Sequence, residues 1–103
     1  MSNIKKIHPG ELLAGMLEDE ELTQSDLARA LDCPRKLISE ICTKKRGIPA
    51  LMAFKLGKAL GQSPQFWMNA QSNWELSQIK KGAISGVQRL VKPSKIEQLD
   101  LAA

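Results

Sequence analysis

Arg35, Lys36 and Ser39 have side chains suited to reading a base pair, and their spacing sets them on one exposed strip of a helix. Arg or Lys can donate to guanine O6 and N7, and a Ser or Thr hydroxyl can bond several base edges. These residues lie within residues 24–43, QSDLARALDCPRKLISEICT. There, Leu27, Ala28, Leu31, Cys33, Ile38 and Ile41 occupy the positions that must be small or apolar if two helices are to cross closely. Opposite that set Arg35, Lys36, Ser39, Glu40 and Thr43 are left outside. The pattern reads as a helix-turn-helix, and its second helix has the form that enters the major groove of DNA.

Neighbouring residues extend the same chemistry. Gln24, at the start of the first helix of the pair, is placed to meet a phosphate together with the helix dipole. Lys44, Lys45 and Arg46 form a basic loop suited to backbone phosphates. Glu40 has two readings: it accepts from cytosine N4, or it orients a neighbouring arginine. The second is favoured, because a carboxylate near phosphates is costly unless it is paired. Asp32 stands in the turn where glycine is common, and Asp tolerates the left-handed conformation better than most residues.

The charge is unevenly spread. In residues 1–22 five acidic residues, Glu11 and the run Glu18-Asp19-Glu20-Glu21, face only Lys5 and Lys6. In residues 23–74 the balance reverses, with Arg29, Arg35, Lys36, Lys44, Lys45, Arg46, Lys55 and Lys58 against Asp26, Asp32 and Glu40. The positive excess therefore centres on the second helix of the pair and the loop after it, which suits a polyanion.

Other chemistries find little support. His8 is the single histidine and has no Ser, Cys or Asp arrangement around it, so a helix-start role is the better reading. Cys33 and Cys42 form no CxxC pair and are expected to be buried free thiols. The acidic run lacks calcium-ligand spacing. No catalytic set, cofactor site or metal site can be assembled. No apolar run reaches the roughly 20 residues of a membrane helix, and the N-terminus lacks signal-peptide character. A soluble cytoplasmic protein is expected.

The elements that must position the site are all helical, giving an all-α fold of five helices. Pro9 opens the first, with Leu12, Leu13, Met16 and Leu17 as its stripe. Thr23 and Asp26 form a capping box for the second, flanked by Leu22 and Leu27 as a hydrophobic staple. Pro34 opens the third. Pro49 begins a fourth, with Leu51, Met52, Phe54, Leu56, Ala59 and Leu60 as its apolar set and Gly61 as its C-cap. Ser63-Pro64 starts a fifth, which is expected to reach Gly82. Residues 1–82 then form the DNA-binding domain. Residues 83–103 form a tail, with 84–91 as a short strand or extended arm and the last ten residues partly disordered. Trp67 and Trp74 lie seven apart on one helical face, which reads as core or dimer seam rather than a base-stacking platform, and together with the segment 79–91 they are the candidates for a dimer interface.

HPGELL at 8–13, LTQSDLARAL at 22–31, PRKLISEI at 34–41, KRGI at 45–48 and ALGQSPQFWMNAQSNWEL at 59–76 together resemble the HigA-type antitoxins. These are also called virulence-associated protein I and carry a lambda-repressor-like (Cro/C1-type) helix-turn-helix. The resemblance runs from about His8 to Pro93. It implies a lambda-repressor-like fold and a cytoplasmic homodimer that binds a palindromic operator in double-stranded DNA. It also implies a partner, a HigB-like toxin that cleaves mRNA, which the antitoxin neutralises while repressing the shared operon. Carried over by position, Gln24, Arg35, Lys36 and Ser39 fall on DNA-contacting sites. Leu37 departs from the pattern, standing where an arginine or other polar residue is frequent, and suggests a preference toward a thymine methyl. Thr43-Lys44 stands where Asn-Gly is usual. The chain is also basic, where an antitoxin facing a basic toxin is often acidic. The competing readings are a solitary helix-turn-helix regulator without a toxin and a protein-interaction module that never meets DNA.

Overall fold

The computed structural model describes residues 7–92, and it is all-helical there. Five α-helices follow in order: α1 (Pro9–Asp19), α2 (Gln24–Leu31), α3 (Arg35–Cys42), α4 (Ala50–Leu60) and α5 (Pro64–Ser77). A single 3₁₀ turn, Lys81–Ile84, comes after them. Helices α2 and α3 pack on each other, α1 lies against α3 and α5, and α4 packs on α5 and α2. The core where they meet contains Leu13, Leu17, Leu27, Leu31, Ile38, Ile41, Ile48, Met52, Leu56 and Trp67.

The helix starts follow local chemistry. His8 caps α1 with its ring: the Gly10 N–H donates to His8 Nδ1 at 2.8 Å. Thr23 and Asp26 make the reciprocal capping box, with the Asp26 N–H donating to Thr23 Oγ1 at 3.0 Å and the Thr23 N–H to Asp26 Oδ2 at 2.9 Å. Hydrogen bonding from Thr23, by its backbone N–H first and then by its side chain, holds the Asp26 carboxyl below the usual carboxylate range, more than the Arg29 charge does. Ser63 caps α5 through the Phe66 N–H.

The helix ends share one device. After α1, α2, α3 and α4 the chain turns through a left-handed residue, respectively Glu21, Asp32, Lys44 and Gly61. Only the last is glycine, so the other three each carry a backbone cost of about 1–2 kcal/mol. The returning N–H groups offset it by satisfying helix-end carbonyls, as where the Lys45 N–H donates to Glu40 O at 2.8 Å and the Lys44 N–H to Ile41 O at 3.0 Å.

Several sequence expectations need correction. The apolar set of α4 is divided: Met52 and Leu56 are buried together with Ala53 and Gly57, but Leu51 and Phe54 are exposed to 68% and 63%. Helix α5 stops at Ser77 rather than reaching Gly82. There the Ser77 hydroxyl donates back to the Trp74 carbonyl at 2.6 Å, and nothing apolar beyond Trp74 packs on the core. Trp67 is 0% exposed, so it is a core residue and cannot line a dimer seam. The stretch 84–91 is not a strand: Ile84 ends the 3₁₀ turn, and the residues after it run on as exposed irregular chain. The expectation of disorder in the last ten residues lies outside the described residues. Both cysteines are free and half-buried rather than fully enclosed. Among the described residues, no helix is long and apolar enough to cross a membrane.

Candidate nucleic-acid interface

Helix α3 is held at a fixed height above α2. Ala28 is 5% exposed at their crossing, and Ile38 and Ile41 are fully enclosed. The Cys33 N–H returns to the Ala28 carbonyl at 3.0 Å, closing the turn with Asp32 at φ 54°. A larger side chain at position 28 would therefore lift α3 from its seat. The far end of α3 is set by α1. Gly10 abuts the Ile41 carbonyl so closely that a Cβ there would overlap its oxygen.

With the inner face packed, the outer face is what the sequence suggests. Arg35 and Lys36 are exposed, Ser39 and Glu40 are half-buried, and Thr43 is exposed at the C-terminal end. The Thr43 hydroxyl donates to the Ser39 carbonyl at 2.9 Å, which ties it to its own helix. Gln24 lies half-buried at the first position of α2, and its Oε1 is enclosed without a hydrogen-bond partner among the described residues. Its amide nitrogen is the group with donor capacity for a phosphate.

The basic loop is built rather than slack. Lys44 adopts the left-handed conformation at φ 67° in place of the expected glycine, and the turn survives because its N–H groups cap α3. Lys44 Nζ sits 3.3 Å from Glu11 Oε2. Arg46 places both Nε (2.9 Å) and a terminal nitrogen (2.8 Å) on Glu40 Oε1. Glu40 therefore orients an arginine, the favoured of its two readings. The Ile48 N–H donates to Gln71 Oε1 at 2.8 Å, and Gln71 in turn donates to Glu75 at 2.9 Å. Of the five cations expected at the interface, Arg35, Lys36 and Lys45 have no ion pair among the described residues, whereas Lys44 and Arg46 do. Both pairs are solvent-facing and thus worth at most about 1 kcal/mol, so a phosphate can displace either carboxylate.

Sequence reasoning did not find the supports of this loop. Gln71 fixes its end from α5, and Glu11 holds Lys44 from α1. His8 belongs to the same support. It is 3% exposed, packs edge-on against Trp74 with ring centroids 4.6 Å apart, and its pKa is lowered by burial and then by Lys44, with Glu11 opposing. The neutral ring is the form that accepts from Gly10. His8 was legible as a helix start but not as a partner of Trp74, and the only sequence signal for Glu11 and Gln71 was their place inside the HPGELL and ALGQSPQFWMNAQSNWEL stretches.

A helix pair crossing at a small residue, a cationic outer face and a capped basic loop define a helix-turn-helix nucleic-acid binder. The helix-turn-helix family model matches residues 16–67, and the chain belongs to that family, of the Cro/C1 type. Virulence-associated protein A' of Dichelobacter nodosus is 40% identical over 91 residues, spanning 87% of this chain and 79% of that protein. An uncharacterized HTH-type transcriptional regulator of Escherichia coli K12, YddM, is 32% identical over 81% of this chain and 89% of its own length. Among solved structures, the Pseudomonas aeruginosa antitoxin HigA with the higBA promoter superposes with a TM-score of 0.73 at 35% identity, over 85% of this chain and 97% of that one. The fold is thus the lambda-repressor-like one of that antitoxin, and the family is one of DNA-binding helix-turn-helix proteins, which is not an enzyme class.

Proposed function

We propose that this chain is the antitoxin of a HigB/HigA-type module: it neutralises an mRNA-cleaving toxin and represses its own operon by binding a palindromic operator as a homodimer. The observation that carries the reading is the outer face of α3 and its loop, on the fold of an antitoxin solved with its promoter. Arg35, Lys36 and Ser39 are assigned to base edges. Gln24, Thr43, Lys44, Lys45 and Arg46 are assigned to the phosphate backbone flanking them. Residues 1–82 form the DNA-binding unit. Residues 83–103 form the arm through which two copies associate, a reading supported by the exposed Ile84, Val87, Leu90 and Val91. Such a protein works in the cytoplasm, where its DNA and toxin are.

The DNA arm of this reading is tested by gel retardation. The full chain should select an inverted repeat whose half-sites lie about 34 Å apart, or a multiple of one DNA turn. Binding indifferent to sequence would sink it. The toxin arm is tested at the neighbouring gene. A small adjacent frame whose product arrests growth, with rescue by co-expression of this chain, is the expected result.

A second reading is a solitary helix-turn-helix regulator. It is supported by the likeness to a protein described as a transcriptional regulator. An isolated gene, with operator binding intact, would favour it.

A further inference from the structure

On the DNA-facing side of α3 lies a small pocket of about 160 Å³, bounded by Pro34, Lys36, Leu37, Glu40 and Arg46. Its composition is unusual for a surface that otherwise offers charge. Pro34 and Leu37 supply apolar walls, while Lys36, Glu40 and Arg46 stand around them. Leu37 is half-buried and packs partly on the core, so its position is fixed rather than free to swing away. Glu40 and Arg46 are joined by the double contact of the guanidinium on Glu40 Oε1. The Leu37 wall of the pocket is therefore preformed, while its charged rim is joined only by that solvent-facing pair.

A phosphate would gain from the cations and nothing from the apolar walls. A guanine edge would meet Lys36 or Arg46 and leave the apolar walls unused. Thymine is the base whose major-groove edge presents a methyl group beside an acceptor, O4. Two cations around one carboxylate leave the rim net positive, which suits an acceptor and disfavours the N4 amino group of cytosine. We propose that this pocket receives the major-groove edge of a thymine, its 5-methyl group on Leu37 and Pro34 and its O4 toward Lys36. Leu37 is then a specificity-determining residue that reads by apolar contact, beside Arg35 and Ser39, which read by hydrogen bonds. The inference rests on the DNA-binding reading above and adds which base one part of the site selects.

The experiment uses the full chain and a duplex carrying the inverted repeat upstream of its own gene. Each thymine of one half-site is replaced in turn by deoxyuridine, which removes the methyl group and keeps O4. One position should lose about fourfold in affinity, the worth of one methyl group leaving water. Leu37→Ala should bind the parent duplex more weakly and show no further loss at that position. Replacing the A·T pair there with G paired to 5-methylcytosine restores the methyl group but puts an amino group in place of O4, and it should also weaken binding. If 5-methylcytosine binds as well as thymine, the O4 assignment is overturned. If no uracil position weakens the wild-type chain, or if Leu37→Ala shows the same loss as wild type, the pocket is not a methyl reader. The uracil scan on the wild-type chain decides this even if Leu37→Ala folds poorly. Specific retention of the parent duplex separates this failure from failure of the DNA-binding reading, which would overturn both.

Discussion

Residues 8–77 and residues 78–92 use the same kinds of apolar side chain to opposite ends. In the first region Leu13, Ile38, Ile41, Leu56 and Trp67 are fully enclosed by neighbouring helices. In the second, Ile79, Ile84, Val87, Leu90 and Val91 are exposed by between 54% and 90%. The first region makes its own surroundings, because each amphipathic helix finds another within the same chain. Among the described residues, the segment 78–92 has one 3₁₀ turn and no helix packed against it. A single surface leucine is ordinary, but a succession of them in a short stretch marks a surface awaiting a partner. The lesson is that the helix pair with its cationic face is complete in one copy, while the apolar end leaves its side chains uncovered by the described residues, which is why we propose it as the association surface.

Four variants would break or sharpen that contrast. The largest effect is expected at the centre of the first region. Trp67→Ala should cost about 3–5 kcal/mol, since it removes a fully enclosed indole and leaves a cavity. It also orphans Gln62 Oε1, which accepts from Trp67 Nε1 at 3.0 Å. Urea unfolding checks this, and a cost near zero would mean that the core is not closed in one copy. Arg35→Ala comes next. It should leave the unfolding midpoint almost unchanged and weaken operator binding by about 1–3 kcal/mol, with specificity relaxed at one base pair. An unaltered gel shift would remove Arg35 from the interface.

Lys44→Gly should act in two directions at once. Relieving the left-handed backbone should stabilise the fold by on the order of 1 kcal/mol, partly offset by loss of the exposed contact with Glu11. DNA binding should weaken and its salt slope should fall by about one. Thermal melts and salt titrations separate the two. The smallest effect on folding is expected in the second region. Changing Leu90 and Val91 together to serine should move stability by no more than about 0.5 kcal/mol, because both are already exposed. The same change should shift sedimentation toward monomer. A loss of stability with no change in mass would show that the segment packs on its own chain.

The sequence was most informative where structure is decided within a few residues. The capping box at Thr23 and Asp26, Pro9 at the start of α1 and the Leu27/Leu31 and Ile38/Ile41 spacing are local features, and the starts of α1 and α2 and the packed faces of α2 and α3 followed from them. Gly61 was legible as a helix end for the same reason. The outer face of α3 was legible by subtraction, since naming the packed face of a short helix names the other. The family stretches at 8–13 and 59–76 were recognisable as strings, but their roles were not.

Those roles depend on residues that are far apart in the chain. His8 meeting Trp74, Gln71 accepting from Ile48 and Lys44 reaching Glu11 are contacts between elements, and no periodicity encodes them. The same cause explains the errors. Helix α4 is apolar around much of its circumference, so the pattern could not say which side the bundle would cover; α5 and α2 decided that, and left Leu51 and Phe54 outside. Trp67 and Trp74 share a face of α5, yet only packing could show that the first fills the core while the second closes on His8. By itself, then, the sequence determined the helices, their caps and the cationic strip, because these rest on local backbone and side-chain chemistry. The tertiary structure alone decided which apolar residues are core, which cations are paired and how the loop after α3 is held, because each is a contact that exists only once separate helices meet.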